Sequence, residues 1–180
     1  SVEKEQKATS IIVPAVVKPS KIAIPENLDV VFKPNDGPQT EFLSSSEMQV
    51  LFGGSAGGGK SVAMVADPMR DFDNPDFRGL LLRRTMPELR ELISISNKYY
   101  PKLSKGEAKW TERDSTWRFP SGATLWLSYL EAEKDIDKYY GQAYSWIGFY
   151  ELTHLESPIY CDMLASRLRT SKNSSLKLSM

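Results

Sequence analysis

The chain has 180 residues, with 23 Lys plus Arg, 23 Asp plus Glu and one His, so its formal net charge is zero. That length fits one domain with its own core, and 41% hydrophobic content excludes a disordered chain. The charge balance excludes a globally basic nucleic-acid binder. The lack of an apolar run near ~18 residues excludes a membrane span, and a single Cys161 excludes an internal disulfide and fits a reducing compartment.

The charged N-terminus SVEKEQK has no apolar run behind it of the secretory kind. Residues 1–38 hold five of the eleven prolines, at Pro14, Pro19, Pro25, Pro34 and Pro38. Proline lacks a backbone donor and resists helix and central strand, so this stretch reads as an extended arm or linker. Short strands fit at Ile11–Val13 and Val30–Phe32. The folded part, residues 39–180, opens with a short helix from Thr40 to about Ser45, then an apolar strand at Val50–Phe52. Val62, Ala63, Val65 and Ala66 suit a helix that Pro68 ends or kinks near Asp67. DFDNPDF reads as turns. Leu80–Leu82 form a buried strand ending in Arg83 and Arg84. Thr85 and Glu88 make a capping box for a helix with Met86, Leu89, Leu92 and Ile93 on its periodic face.

Lys109 to Leu130 reads as two or three antiparallel strands around the turn PSGA. EAEKDIDKYYG is a charged short helix capped at Gly141. Tyr144–Tyr150 is a second apolar strand with Glu151 at its exit. Leu155, Ile159, Tyr160, Met163, Leu164 and Leu168 share one helical face, with Cys161 packed beside them, and Leu176–Met180 begin a further strand. Strands alternating with helices predict an α/β sheet covered on both faces.

The strongest motif is Gly54, Ser55, Ala56, Gly57, Gly58, Gly59, Lys60 and Ser61, a full match to G-x-x-x-x-G-K-S/T between a strand and a helix. Glycines permit positive φ and let the backbone approach an anion. Loop amides then form a nest, and the helix start adds positive potential. The motif assigns Lys60 to the β- and γ-phosphates of ATP and Ser61 to Mg²⁺. Such a site needs carboxylates at the end of a neighbouring strand. Glu151 fits a general base or water-orienting group, with a water-mediated role at Mg²⁺. The residue before it is Tyr150, where an Asp is expected, and a neutral phenol is a poor ligand for a hard cation.

Arg83 and Arg84 leave their strand where they could neutralise developing phosphate charge, while Arg167 and Arg169 suit a neighbour or DNA. For each, a solvated surface arginine is at least as good a reading. Gln39 is a candidate for an adenine edge. His154 is the only histidine, which excludes a His-rich metal site. Lys98, Tyr99, Tyr100, Lys102, Lys105, Lys109 and Trp110 form either a DNA-facing patch or an ordinary mixed surface.

The strings LFGGSAGGGKS, ADPMRDFDNPDFRGLLLRRTMPELREL, WRFPSGATLWLSYLEAEKDIDKYYGQAYSWIGFYELTHL and SRLRT together resemble the large terminase subunit of tailed bacteriophages, over roughly Gln39 to Met180. The resemblance implies a P-loop NTPase fold of the ASCE-like kind, a sheet flanked by helices with an antiparallel β insertion. It implies an ATPase domain of a motor that packages double-stranded DNA into procapsids. Gly54 to Ser61 become the Walker A loop, Gln39 the adenine-side motif, Glu151 the catalytic glutamate, and Arg83 or Arg84 the nucleotide-facing arginine. The implied partners are double-stranded DNA, the portal protein, the small terminase subunit and a ring of copies, commonly five. The implied location is the host cytoplasm, with docking at the portal vertex and no membrane.

The chain departs from the family at Tyr150 and in having no arginine inside Walker A. It stops at LKLSM, where the family continues into a coupling motif and a nuclease domain, so it reads as a truncated ATPase domain. Two alternatives stay open. One is a nucleotide-binding but hydrolytically weak assembly piece, which Tyr150 favours. The other is another P-loop class, such as a helicase or a small-molecule kinase.

Overall fold

The computed structural model describes residues 32–44, 49–52, 59–150 and 175–179. Helix α1 spans Pro38–Ser44, close to the expected range, and strand β1 spans Gln49–Phe52. Helix α2, Lys60–Ala66, passes directly into a 3-10 turn at Asp67–Asp71, where Pro68 denies the α-helix its next donor. Strand β2 is Arg78–Arg83 and helix α3 is Met86–Leu103. The expected capping box is present: Glu88 N–H donates to Thr85 Oγ1, and Thr85 N–H donates to Glu88 Oε2. Strands β3 (Lys109–Thr111), β4 (Thr116–Arg118), β5 (Thr124–Tyr129), β6 (Trp146–Tyr150) and β7 (Ser175–Ser179) complete the described residues. The charged segment before Gly141 is a 3-10 helix at Glu133–Tyr139.

The seven strands form one sheet in the order β1-β7-β6-β2-β5-β4-β3. The first five are parallel, and β4 and β3 add an antiparallel hairpin at the edge. The expected antiparallel set is therefore split: β5 pairs antiparallel with β4 but parallel with β2. Helix α3 and the hairpin together carry the chain from β2 to a parallel neighbour, as a parallel pair requires.

Strand periodicity sorts the side chains onto two faces. Leu81, Leu125, Leu127, Trp146 and Tyr150 join a core with Ala63, Met64 and Val65 of α2 and Leu89, Leu92 and Tyr100 of α3. Leu80, Leu82, Ile147 and Phe149 face a second core with Leu130, Ile136, Tyr139 and Tyr144. The prediction of a sheet covered on both faces holds. Phe32, ahead of α1, is buried in the first core and meets Tyr99 edge to face.

Polar groups inside the first core are paired. Trp146 Nε1 donates to Asp67 Oδ2 at 2.8 Å, and Asp67 also pairs with Arg70. Tyr100 O–H donates to the Val65 carbonyl at 2.8 Å, tying α3 to the end of α2. Burial, with the Asp67 carboxylate nearby, holds that phenol neutral well above its ordinary range. Tyr100 is thus a core residue, which removes it from the basic and aromatic patch suggested by the sequence. Among the described residues, no helix is long and apolar enough to cross a membrane.

Candidate functional site

Connections leaving β2 and β6 diverge, one toward β5 and the other toward β7. In open parallel sheets, the carboxyl ends of strands at such a switch point border the ligand crevice. The register pairs Leu82 with Phe149, so Arg83 and Tyr150 are the next residues out on adjacent strands. Period-two alternation puts both on the α2 and α3 side, where Ser61 lies.

Ser61 Oγ is 2.9 Å from the Tyr150 hydroxyl and 3.1 Å from Glu91 Oε1. A serine hydroxyl carries one proton, so the chain of donors runs from Tyr150 O–H to Ser61 and from Ser61 to the Glu91 carboxylate. The Arg83 guanidinium lies 3.8 Å above the Tyr150 ring centre, a cation–π contact. It also lies 3.9 Å from Glu91 Oε2 and 4.0 Å from Glu88 Oε2. Ser61, Tyr150, Arg83 and Glu91 therefore close a ring of contacts at the switch point. Arg83 is buried within it, while Arg84, one residue on, is exposed.

The start of α2 is fixed from the other side. Gly59 has φ 74°, in the left-handed region, and a Cβ there would meet Gln39 Nε2 at 2.6 Å. Glycine is needed for both reasons. Gln39 Nε2 donates to the Gly59 carbonyl at 2.8 Å, and Gln39 Oε1 accepts from Asn35 N–H at 2.6 Å. The buried Gln39 amide thus clamps the exit of the glycine-rich segment to the turn before α1. Lys60, the next residue, is buried.

Of the residues singled out in the sequence, the structure brings together Gln39 with Gly59, and Ser61 with Tyr150 and Arg83. Gly54, Ser55, Ala56, Gly57 and Gly58 lie outside the described residues, as do Glu151, His154, Cys161, Arg167, Arg169 and the strand expected at Ile11–Val13. The helical face from Leu155 to Leu168 lies outside them too. Glu91 was not anticipated. Its i, i+3 spacing from Glu88 puts two carboxylates on one face of α3, but nothing in the sequence joins that face to Ser61, thirty residues away.

Among the described residues, no group of three or more His, Cys, Asp or Glu could hold a metal ion by itself. The oxygen donors that are present, a serine hydroxyl and a carboxylate 3.1 Å apart, are of the kind a hard cation takes.

No family model and no curated protein matches the chain. Solved structures do match. The large terminase of a thermophilic bacteriophage aligns with TM-score 0.62 and 17% identity over 79% of this chain and 38% of that one. The HK97 bacteriophage large terminase aligns with TM-score 0.64 and 11% identity over 81% of this chain and 33% of that one. The N-terminal domain of the DNA packaging ATPase from bacteriophage phi29 aligns with TM-score 0.57 and 20% identity over 79% of this chain and 77% of that one. A further structure of the thermophilic phage protein is a complex with ADP. The chain spans 38% and 33% of the length of the first two proteins. Its fold is that of phage terminase ATPase domains, a P-loop NTPase fold.

Proposed function

We propose that the chain is the ATP-hydrolysing domain of a DNA-packaging motor of the terminase large-subunit type. The observation that carries this reading is the meeting of Ser61, from the P-loop, with the end of β6 at a switch point in the fold of packaging ATPases. The amides of Gly54 to Gly59 and the Lys60 ammonium hold the β- and γ-phosphates of ATP. Ser61 is the inner hydroxyl ligand of Mg²⁺, which supplies charge neutralisation to the phosphates when bound. Glu151, directly after Tyr150, orients the attacking water. Arg83 keeps positive charge beside the site, and exposed Arg84 is the better candidate to serve a neighbouring subunit. Gln39 holds the loop exit and borders the adenine side. On this reading the partners are double-stranded DNA, the portal protein, the small terminase subunit and further copies in a five-membered ring, acting in the host cytoplasm at the portal vertex.

The test is ATP binding and hydrolysis with and without double-stranded DNA. Lys60→Ala should weaken binding about 10- to 100-fold. Glu151→Ala should bind but turn over about 10²–10⁴-fold more slowly. Binding untouched by Lys60→Ala would refute the phosphate-loop assignment.

A second reading, a nucleotide-binding subunit that hydrolyses weakly, has one observation in its favour. A neutral phenol, rather than a carboxylate, reaches Ser61 from β6. Tyr150→Asp should then raise turnover sharply, and unchanged turnover would count against Tyr150 as the defect.

A further inference from the structure

We propose that Glu91, on α3, supplies a carboxylate to the magnesium site beside Ser61, where β6 presents Tyr150 in place of the expected Asp. The inference rests on the nucleotide-binding reading above and adds to it the residue that holds the ion's water shell.

Three observations place Glu91 there. First, its Oε1 lies 3.1 Å from Ser61 Oγ. Neighbouring oxygens around an octahedral ion with bonds of about 2.1 Å are about 3 Å apart, so the pair already has the spacing of two adjacent ligands or of a ligand and a water acceptor. Second, Glu91 is held from behind. Its Oε2 faces the Arg83 guanidinium at 3.9 Å, and that guanidinium is itself packed on the Tyr150 ring. The carboxylate is thus oriented with one oxygen toward Arg83 and the other toward Ser61. Third, Glu91 differs from its neighbour. Glu88 uses its carboxylate to cap α3 through the Thr85 amide, whereas Glu91 is exposed and makes no such cap. Tyr150 gains a matching role: its phenol orients the Ser61 hydroxyl, and its ring seats the arginine that aligns Glu91.

The experiment measures ADP and ATPγS binding to the 180-residue chain by titration calorimetry, with EDTA and with Mg²⁺, and Mn²⁺ binding to the nucleotide complex by electron paramagnetic resonance. Wild type should bind nucleotide more tightly with Mg²⁺. Glu91→Gln should keep its EDTA-condition affinity while its affinity for Mn²⁺ falls about 10- to 100-fold, the range for losing a carboxylate that supports a metal site. Glu88→Gln should leave Mn²⁺ affinity unchanged. Adding Tyr150→Asp to Glu91→Gln should restore it, because the carboxylate then reaches Ser61 from β6. Unchanged Mn²⁺ affinity in Glu91→Gln would overturn the inference and leave the nucleotide site standing. An equal fall in Glu88→Gln would also overturn it, since the effect would then be general charge near Arg83. Failure of wild type to bind nucleotide in either condition would overturn the parent reading and this one with it.

Discussion

Gly148 lies in the middle of β6, the strand that delivers Tyr150 to the site. A methyl group there would fall 2.3 Å from Trp146 Cη2, 2.9 Å from Trp146 Cζ2 and 2.9 Å from Met64 Cε. Carbon atoms sit at about 3.5–4.0 Å, so the indole must move by more than ~1 Å or the strand must shift away from α2. Met64 Cε is the end of a flexible side chain and can yield. The indole cannot yield freely, because its Nε1 is bonded to Asp67 Oδ2 at 2.8 Å inside the core. Overpacking costs about 1–3 kcal/mol. Loss of the buried indole hydrogen bond adds about 1–3 kcal/mol. Replacing Gly by Ala returns about 0.4–1 kcal/mol through the unfolded chain. Gly148→Ala should therefore destabilise by about 1–6 kcal/mol on balance. Urea unfolding followed by circular dichroism would measure it. Trp146→Phe removes the outer indole ring, so adding Gly148→Ala in that background should cost at least about 1 kcal/mol less than in wild type. Equal costs in the two backgrounds would refute the steric argument.

Other consequences follow from the same packing. Ser96→Ala leaves the buried Trp117 Nε1 without its 2.9 Å acceptor and should cost about 1–3 kcal/mol in urea unfolding. Gly59→Ala meets both the left-handed φ of 74° and the Gln39 amide, and should cost about 1–2 kcal/mol. Removing the Gln39 side chain as well should not restore the loss, because the backbone strain remains. Burial raises the phenols of Tyr100 and Tyr139, and pushes Tyr144 up to about 12. The unfolded chain then ionises first, at about 10. The stabilising effect is whole below about pH 10 and is lost as pH rises through 10 toward 12, at up to about 1.4 kcal/mol per pH unit for each tyrosine. Thermal melts from pH 9 to 11.5 should show this alkaline fall, and replacing Tyr144 with Phe should make it shallower.

Much of the frame was legible because short-range chemistry decided it. The capping box at Thr85 and Glu88, the end of α2 before Pro68, and the apolar runs of β2 and β6 each follow from neighbouring residues. What escaped depends on contacts distant in sequence. The split of β5 between a parallel and an antiparallel neighbour follows from where α3 and the hairpin return the chain, and alternation within β5 is the same for either pairing. Tyr100 looked like a surface aromatic among lysines because the polar Ser96 interrupts the buried face of α3 that it shares with Leu89 and Leu92; its burial is set by Phe72, Trp117 and Phe119 packing around it. In the site, the P-loop signature marked Ser61, and the position of Tyr150 marked it as an oddity. That its hydroxyl would bond Ser61, and that Glu91 would complete the contact, depends on placing α2, α3 and β6 side by side.

The central claim is that Lys60 and the turn before it grip the phosphates of a nucleotide. Equilibrium binding of a fluorescent ADP analogue to wild type and to Lys60→Ala tests it most directly. Loss of one charge-assisted phosphate contact predicts affinity weaker by about 10- to 100-fold in the variant. Equal affinities, or no saturable binding by the wild-type chain, would contradict the claim.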